Sequence, residues 1–271
     1  MRKLFLRSIS GLIYVALVVF ACLNPPLGPF LLAISFGITA LFEWYSFPGY
    51  RPSSLKLVIP LALFSTLLLY RQNWLPDLNE TRQFLSVAGV ALLAVWVLVE
   101  MWPGTKKNYR LFMHRAIGLL YIGLPLLLLS APHTMFSPWE ANGLLGLFAL
   151  IWLNDTFAFL TGKWLGRRKL WPAVSPNKTW EGWLGGALVS LLGAWLIAPF
   201  FSDLPTRHWI ALALLVLIFG SLGDLFESAV KRNFALKDSG RFMPGHGGIL
   251  DRIDSLLFVL PATYIYFLLL G

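Results

Sequence analysis

Between Asp224 and Asp254 the chain gathers carboxylates, cations, a histidine and clustered glycines, a combination suited to holding a phosphorylated ligand through a hard cation. Asp224, Ser228, Lys231 and Arg232 recur at i, i+4, i+7 and i+8, which predicts a carboxylate, a hydroxyl and two cations along one helix face. Lys237-Asp238 follows, then Gly240, Pro244-Gly245 and Gly247-Gly248 beside His246. That run predicts a turn with exposed backbone N–H groups and room for close ligand approach. Asp251 and Asp254, three residues apart, open the next apolar run and are expected to meet Asp224 across two neighbouring helix ends. Taken singly, each charge reads as an interfacial anchor. Taken together beside lysine and arginine, they predict a Mg²⁺-phosphate site with Asp224, Asp251 and Asp254 as cation ligands.

A second polar cluster precedes this one. Ser175, Asn177, Lys178 and Thr179 offer hydroxyl, amide and ammonium groups just before an apolar run, an arrangement useful to a phosphate or nucleotide. The same residues also read as a plain helix start with Thr179 as cap and Glu181 in the first turn, and the glycine spacing of a P-loop is missing. Asn154-Asp155 lies inside an apolar run, where a carboxylate costs on the order of 2.5–3.5 kcal/mol on insertion scales and so needs a partner, a cation or water. Asp155 is therefore a further candidate cation ligand. His114, His133 and His208 lack clustered acidic or thiol neighbours and read as structural, and no Gly-x-Ser-x-Gly elbow is present.

The elements that must position these groups are membrane helices. With 57% hydrophobic residues, 13% charged residues and a mean hydropathy of +0.69 over 271 residues, the chain has more apolar surface than one soluble core hides. Its net charge of +9 is spread over short loops and forms no continuous basic face, so nucleic acid is not an expected partner. The single cysteine, Cys22, excludes an intrachain disulfide. Apolar windows at about 9–23, 27–42, 55–70, 84–101, 116–131, 142–162, 182–201, 208–223 and 255–270 predict an all-α, polytopic protein of about nine spanning helices. The first window follows Arg2, Lys3 and Arg7 as a signal peptide would, but another span comes at once and no A-x-A-like cleavage site is present. It is expected to be retained.

Placing the amino terminus in the cytoplasm leaves only Arg71, Arg82 and Arg207 outside and puts the carboxyl terminus outside. The polar loops 163–181 and 224–254 then face the cytoplasm. Residues 1–140 read as a transmembrane scaffold and 141–271 as the catalytic membrane region, since nearly every unusual polar motif falls in the second part.

The run from Ser228 to Asp254 resembles the signature of CDP-diacylglycerol synthases, also called phosphatidate cytidylyltransferases. The resemblance rests on Ser228, Lys231-Arg232, Lys237-Asp238, Gly240, His246-Gly247-Gly248, Asp251-Arg252 and Asp254, and extends upstream through Asp155, Gly162, Gly166 and Ser175-Pro176-Asn177-Lys178-Thr179-Trp180. Met243 and Phe157-Ala158-Phe159 are mild apolar departures from the family pattern. Residues 1–140 share only a general multi-helix character.

The resemblance implies transfer of the CMP moiety of CTP to phosphatidic acid, giving CDP-diacylglycerol and pyrophosphate, in a bacterial inner membrane. An ionised phosphatidate oxygen is already a nucleophile, so alignment and charge neutralisation suffice without a histidine dyad. In that reading one or two divalent cations sit on Asp224, Asp251 and Asp254, with a monovalent cation as a further candidate. Lys178, Lys231, Arg232, Lys237 and Arg252 neutralise phosphates, His246 donates to pyrophosphate, and Ser175, Asn177, Thr179, Ser228, Gly247 and Gly248 shape the substrate pocket. A homodimer is likewise implied. The competing readings are a CTP-dependent lipid or polyprenol kinase and, in a different class, an ion-coupled transporter. The clustering of charge at one membrane face argues against the transporter.

Overall fold

The computed structural model describes residues 2–48, 60, 64–65, 106–129, 141–200, 204–243, 245 and 247–270. The predicted windows 55–70 and 84–101 fall almost wholly outside these residues. A backbone crossing hydrocarbon must satisfy its N–H and C=O groups internally, so the apolar runs fold as helices. These are α1 (Arg2–Cys22), α2 (Leu27–Tyr45), α3 (Lys106–Gly118), α4 (Leu124–Leu129), α5 (Ala141–Leu165), α6 (Trp180–Ile197), α7 (Thr206–Leu215), α8 (Ser221–Asn233) and α9 (Leu250–Leu270). A π-helical turn, Leu119–Gly123, joins α3 to α4, and another, Val216–Gly220, joins α7 to α8.

Among the described residues six helices are long and apolar enough to cross a membrane: Leu27–Tyr45, Phe112–Leu129, Gly143–Leu165, Trp180–Phe200, Thr206–Asn233 and Leu250–Leu269. Arg7–Cys22 is a shorter apolar helix. The helix of the eighth window continues past 223, as the spacing of Asp224, Ser228, Lys231 and Arg232 predicts, and carries its polar face out to Asn233.

Loop 163–181 departs from the all-α expectation. It forms an antiparallel hairpin of β1 (Lys169–Trp171) and β2 (Ser175–Thr179), with Lys169 opposite Thr179 and Trp171 opposite Ser175. The hairpin sits outside the apolar runs, where strands can pair without exposing unpaired backbone groups to hydrocarbon. Glu181 anchors it by accepting the backbone N–H groups of Arg167 at 3.0 Å and Arg168 at 3.2 Å. Thr179 ends β2 and caps α6, its hydroxyl accepting the Gly182 N–H at 3.1 Å.

Small residues set the helix spacing around the polar end. A Cβ on Gly186 would lie 2.7 Å from the Asn154 carbonyl oxygen and one on Gly182 2.6 Å from that of Ala158, so α5 and α6 approach almost backbone to backbone. A Cβ on Gly223 would collide with the Asp254 carbonyl, which makes that glycine the close-approach point of α8 and α9. The buried core beneath includes Tyr14, Phe36, Trp44, Phe148, Trp209 and Leu257.

Candidate active site

The amino-terminal end of α1, the carboxyl-terminal ends of α2 and α8, the hairpin and the start of α9 all meet at one end of the helix bundle. Arg7 Nε donates to the Gly245 carbonyl at 2.8 Å, and the carboxylate of Glu43 accepts the N–H groups of Ile249 and Leu250, each at 3.0 Å. Lys178 of β2 reaches Asp224 of α8 at 2.6 Å. Sites predicted from two separate loops are thus brought together.

On α8 the helical spacing works as expected for Asp224 and Ser228: the Ser228 hydroxyl donates to Asp224 Oδ1 at 3.2 Å. Lys231 lies on that side too, buried between Glu227 and Asp251 with 2.6 Å to each carboxylate. Arg232 does not join them. At i+8 it has rotated about 80° off the Asp224 direction, and its Nη1 donates to the Leu236 carbonyl at 3.1 Å, closing the helix end.

Asp251 was expected beside Asp224 and Asp254 as a cation ligand, but its carboxylate is already engaged. It receives Lys231 Nζ, the Ser239 N–H at 3.0 Å and the Gly248 N–H at 2.8 Å. A residue in the first turn of a helix faces the unpaired N–H groups of the incoming loop, and a carboxylate there satisfies them. Gly247 has φ +86°, and a Cβ on it would lie 2.7 Å from Asp251 Oδ2, so the glycines let the loop wrap this carboxylate.

Asp254, half-buried one turn further on, accepts the Ser255 N–H at 2.7 Å and faces the negative charges of Asp224, Glu227 and Asp155. Asp155 feels Asp224, Lys178 and Arg252, and takes a 3.3 Å hydrogen bond from the Asn154 amide. Asp155, Asp224 and Asp254 are therefore one electrostatic group with Lys178 and Arg252 at its edge. Of the remaining candidates, Ser175 is half-buried and Asn177 exposed on β2, Lys237 is exposed on the α8–α9 loop, and His246 lies outside the described residues.

The carboxylates of Asp155, Asp224 and Asp254 are the hard oxygen donors that Mg²⁺ takes. Among the described residues no three His, Cys, Asp or Glu side chains converge closely enough to hold a metal unaided. Asp155, Asp224 and Asp254 are the side chains that could hold such a cation, with substrate phosphates completing its oxygen ligands.

Two site residues escaped the sequence reading. Glu227 carried a signal, since it stands four residues before Lys231 on a helix. Glu43 carried only its own improbability, a carboxylate ending an apolar run. It is 6% exposed and also accepts the Ser239 hydroxyl at 3.1 Å, so it holds both ends of the glycine loop from 196 to 207 residues away in sequence. Replacing it by leucine strands the Ile249 and Leu250 N–H groups. At about 1–3 kcal/mol per buried unsatisfied group, Glu43→Leu is expected to lower the midpoint of thermal unfolding markedly. Glu43→Gln, which keeps one oxygen acceptor, is expected to fall between it and the unaltered protein in a melting assay.

The sequence model of the cytidylyltransferase family matches residues 5–270. The chain is 42% identical to the phosphatidate cytidylyltransferase of Staphylococcus epidermidis over 193 residues, covering 68% of this chain and 70% of that one. It is 44% identical to the enzyme of that name from Staphylococcus aureus over 179 residues, covering 63% and 66%. The match to the Staphylococcus haemolyticus enzyme is 41% over 179 residues. With the family match running through nearly all of its length, the chain belongs to the cytidylyltransferase family.

Proposed function

We propose that the chain is a phosphatidate cytidylyltransferase, joining CTP and phosphatidic acid to give CDP-diacylglycerol and pyrophosphate. The observation that carries this reading is the Lys178–Asp224 contact, which joins the hairpin to the carboxylate group of Asp155, Asp224 and Asp254 in a chain of this family. The staphylococcal relatives with that activity by name support the choice of acceptor.

In the reaction a phosphatidate oxygen attacks the α-phosphorus of CTP, a new P–O–P linkage forms, and the bond to the β-phosphate breaks as pyrophosphate departs with its electron pair. No proton has to be removed from an ionised phosphate, so the chain's task is to align two anions and offset their charge. Lys178, Lys237 and Arg252 bind phosphates, while Ser175, Asn177, Thr179 and Ser228 border the nucleotide. Lys231 is neutralised by Glu227 and Asp251 and acts as a positioning residue for the loop carrying Gly247 and Gly248. Asp224, Asp254 and Asp155 would hold Mg²⁺, which would supply charge neutralisation to the phosphates when bound. The assignment of His246 to the leaving pyrophosphate rests on the family resemblance.

The basic loops support a nine-span arrangement with the amino terminus and the site in the cytoplasm, in a bacterial inner membrane, and the family resemblance supports a homodimer. Purified protein with CTP, phosphatidic acid and Mg²⁺ should form CDP-diacylglycerol and pyrophosphate one for one, and EDTA should abolish both. Formation of CDP and a phosphorylated lipid would replace this reading with a kinase.

A further inference from the structure

Two cavities of about 660 Å³ each meet at the loop joining α8 to α9. The first is a polar basin lined by Arg7, Lys237, Arg241 and Arg252, with Asp238 as its one carboxylate. The second is an apolar groove whose walls are α1 and α2, with Leu17 and Phe20 on one side, Leu31 and Phe36 on the other and Phe242 at the mouth. Met243 lines both, so the loop is the boundary between a cationic compartment and a greasy one.

The groove has the depth of one leaflet. Its α1 wall runs from Ser10 to Ala21, about 17 Å of helix, which is roughly half of a hydrocarbon core of about 30 Å. Leu17, Phe20, Leu31 and Phe242 are 52–68% exposed, so among the described residues the groove is open along its side. Near its polar end the Tyr14 hydroxyl donates to the Arg252 carbonyl at 3.4 Å, and the Arg252 guanidinium interacts with Asp155. The basin and groove therefore adjoin the carboxylate group through Tyr14 of α1 and Arg252, whereas Lys178 of the hairpin reaches it through Asp224.

We propose that these cavities form the docking site of the lipid acceptor, with its phosphate in the Arg7, Lys237, Arg241 and Arg252 basin and one acyl chain in the α1–α2 groove. The assignment rests on the reading of the acceptor as phosphatidate. Charge selects the occupant: four cations against one carboxylate favour an anionic phosphomonoester head and disfavour a zwitterionic lipid carrying its own cation. The amino-terminal helices thereby become part of the substrate site, and the nucleotide is left to the Lys178 side.

Steady-state kinetics in detergent micelles, with dioleoyl and dihexanoyl phosphatidate as acceptors, test this. Ser35→Trp places an indole in the groove from an exposed position of α2, and Leu17→Trp does so from α1. Each is expected to raise the KM for dioleoyl phosphatidate about tenfold, leaving the KM for dihexanoyl phosphatidate and for CTP near the unaltered values. Arg241→Gln should raise the KM for both lipids several-fold, on the order of one lost charge-assisted contact, without changing that for CTP. A rise in the CTP KM for Arg241→Gln would assign the basin to the triphosphate and overturn the proposal, as would an unchanged dioleoyl KM in both tryptophan variants. Absence of CDP-lipid from the unaltered protein with either acceptor would instead refute the proposed activity.

Discussion

Asp224→Asn protein is expected to fold and insert normally yet to lose about 10²–10³-fold in kcat, the scale seen when one preorganised charge-stabilising group is removed from an active site. The two effects separate because Asp224 has different partners in each role. Asparagine keeps the shape and can still accept the Ser228 hydroxyl, and the ion pair to Lys178 joins side chains 26% and 37% exposed, a pairing worth about 0–1 kcal/mol. What asparagine cannot supply is the negative charge that Asp224 shares with Asp155 and Asp254. Thermal unfolding and turnover measured on the same preparation check both halves. Turnover within twofold of the unaltered protein would remove Asp224 from the site.

The second large effect is on stability. Lys231 is buried between Glu227 and Asp251, and Glu227 is 1% exposed. Lys231→Met removes the cation and leaves two carboxylates confronting each other out of water, which at about 3–5 kcal/mol for a broken buried pair should sharply lower the unfolding midpoint. Adding Glu227→Leu should return much of that loss, because the Asp251 carboxylate retains the N–H groups of Ser239 and Gly248. Activity should not return in parallel, since the loop carrying Gly247 would have lost its tether to α8. A double variant no more stable than Lys231→Met alone would contradict this account of the triad.

These contacts divide into those that spacing discloses and those it hides. The pairing of Ser228 with Asp224 follows from one turn of helix, and Thr179 as the cap of α6 follows from residue type at a polar-to-apolar boundary. That α9 opens with Asp251 in its first turn likewise follows from Asp251 and Asp254 standing three residues apart ahead of the apolar run. By contrast, helical spacing fixes which way a side chain points and not what the rest of the fold brings to meet it. Asp251 and Asp254 share a helix face, yet the first is consumed by loop N–H groups and Lys231 while the second faces other carboxylates. Glu43 meets Leu250 from 207 residues away, and a lone acid at the end of an apolar helix looks the same whether it anchors in headgroups or caps another helix. The hairpin at 169–179 was hidden because its strands are 3 and 5 residues long, one of them containing Pro176, too short for an alternating pattern to register. Arg7 and the α1–α2 groove belong to a segment that reads only as scaffold until the loop is seen folded against it.

The most direct test of the central claim follows phosphorus from the nucleotide to the lipid. Purified protein supplied with phosphatidic acid, Mg²⁺ and CTP labelled at either the α- or the γ-phosphate should deliver the α-label to the lipid product and the γ-label to pyrophosphate. Appearance of the γ-label in the lipid, with the α-label left in CDP, would contradict the account.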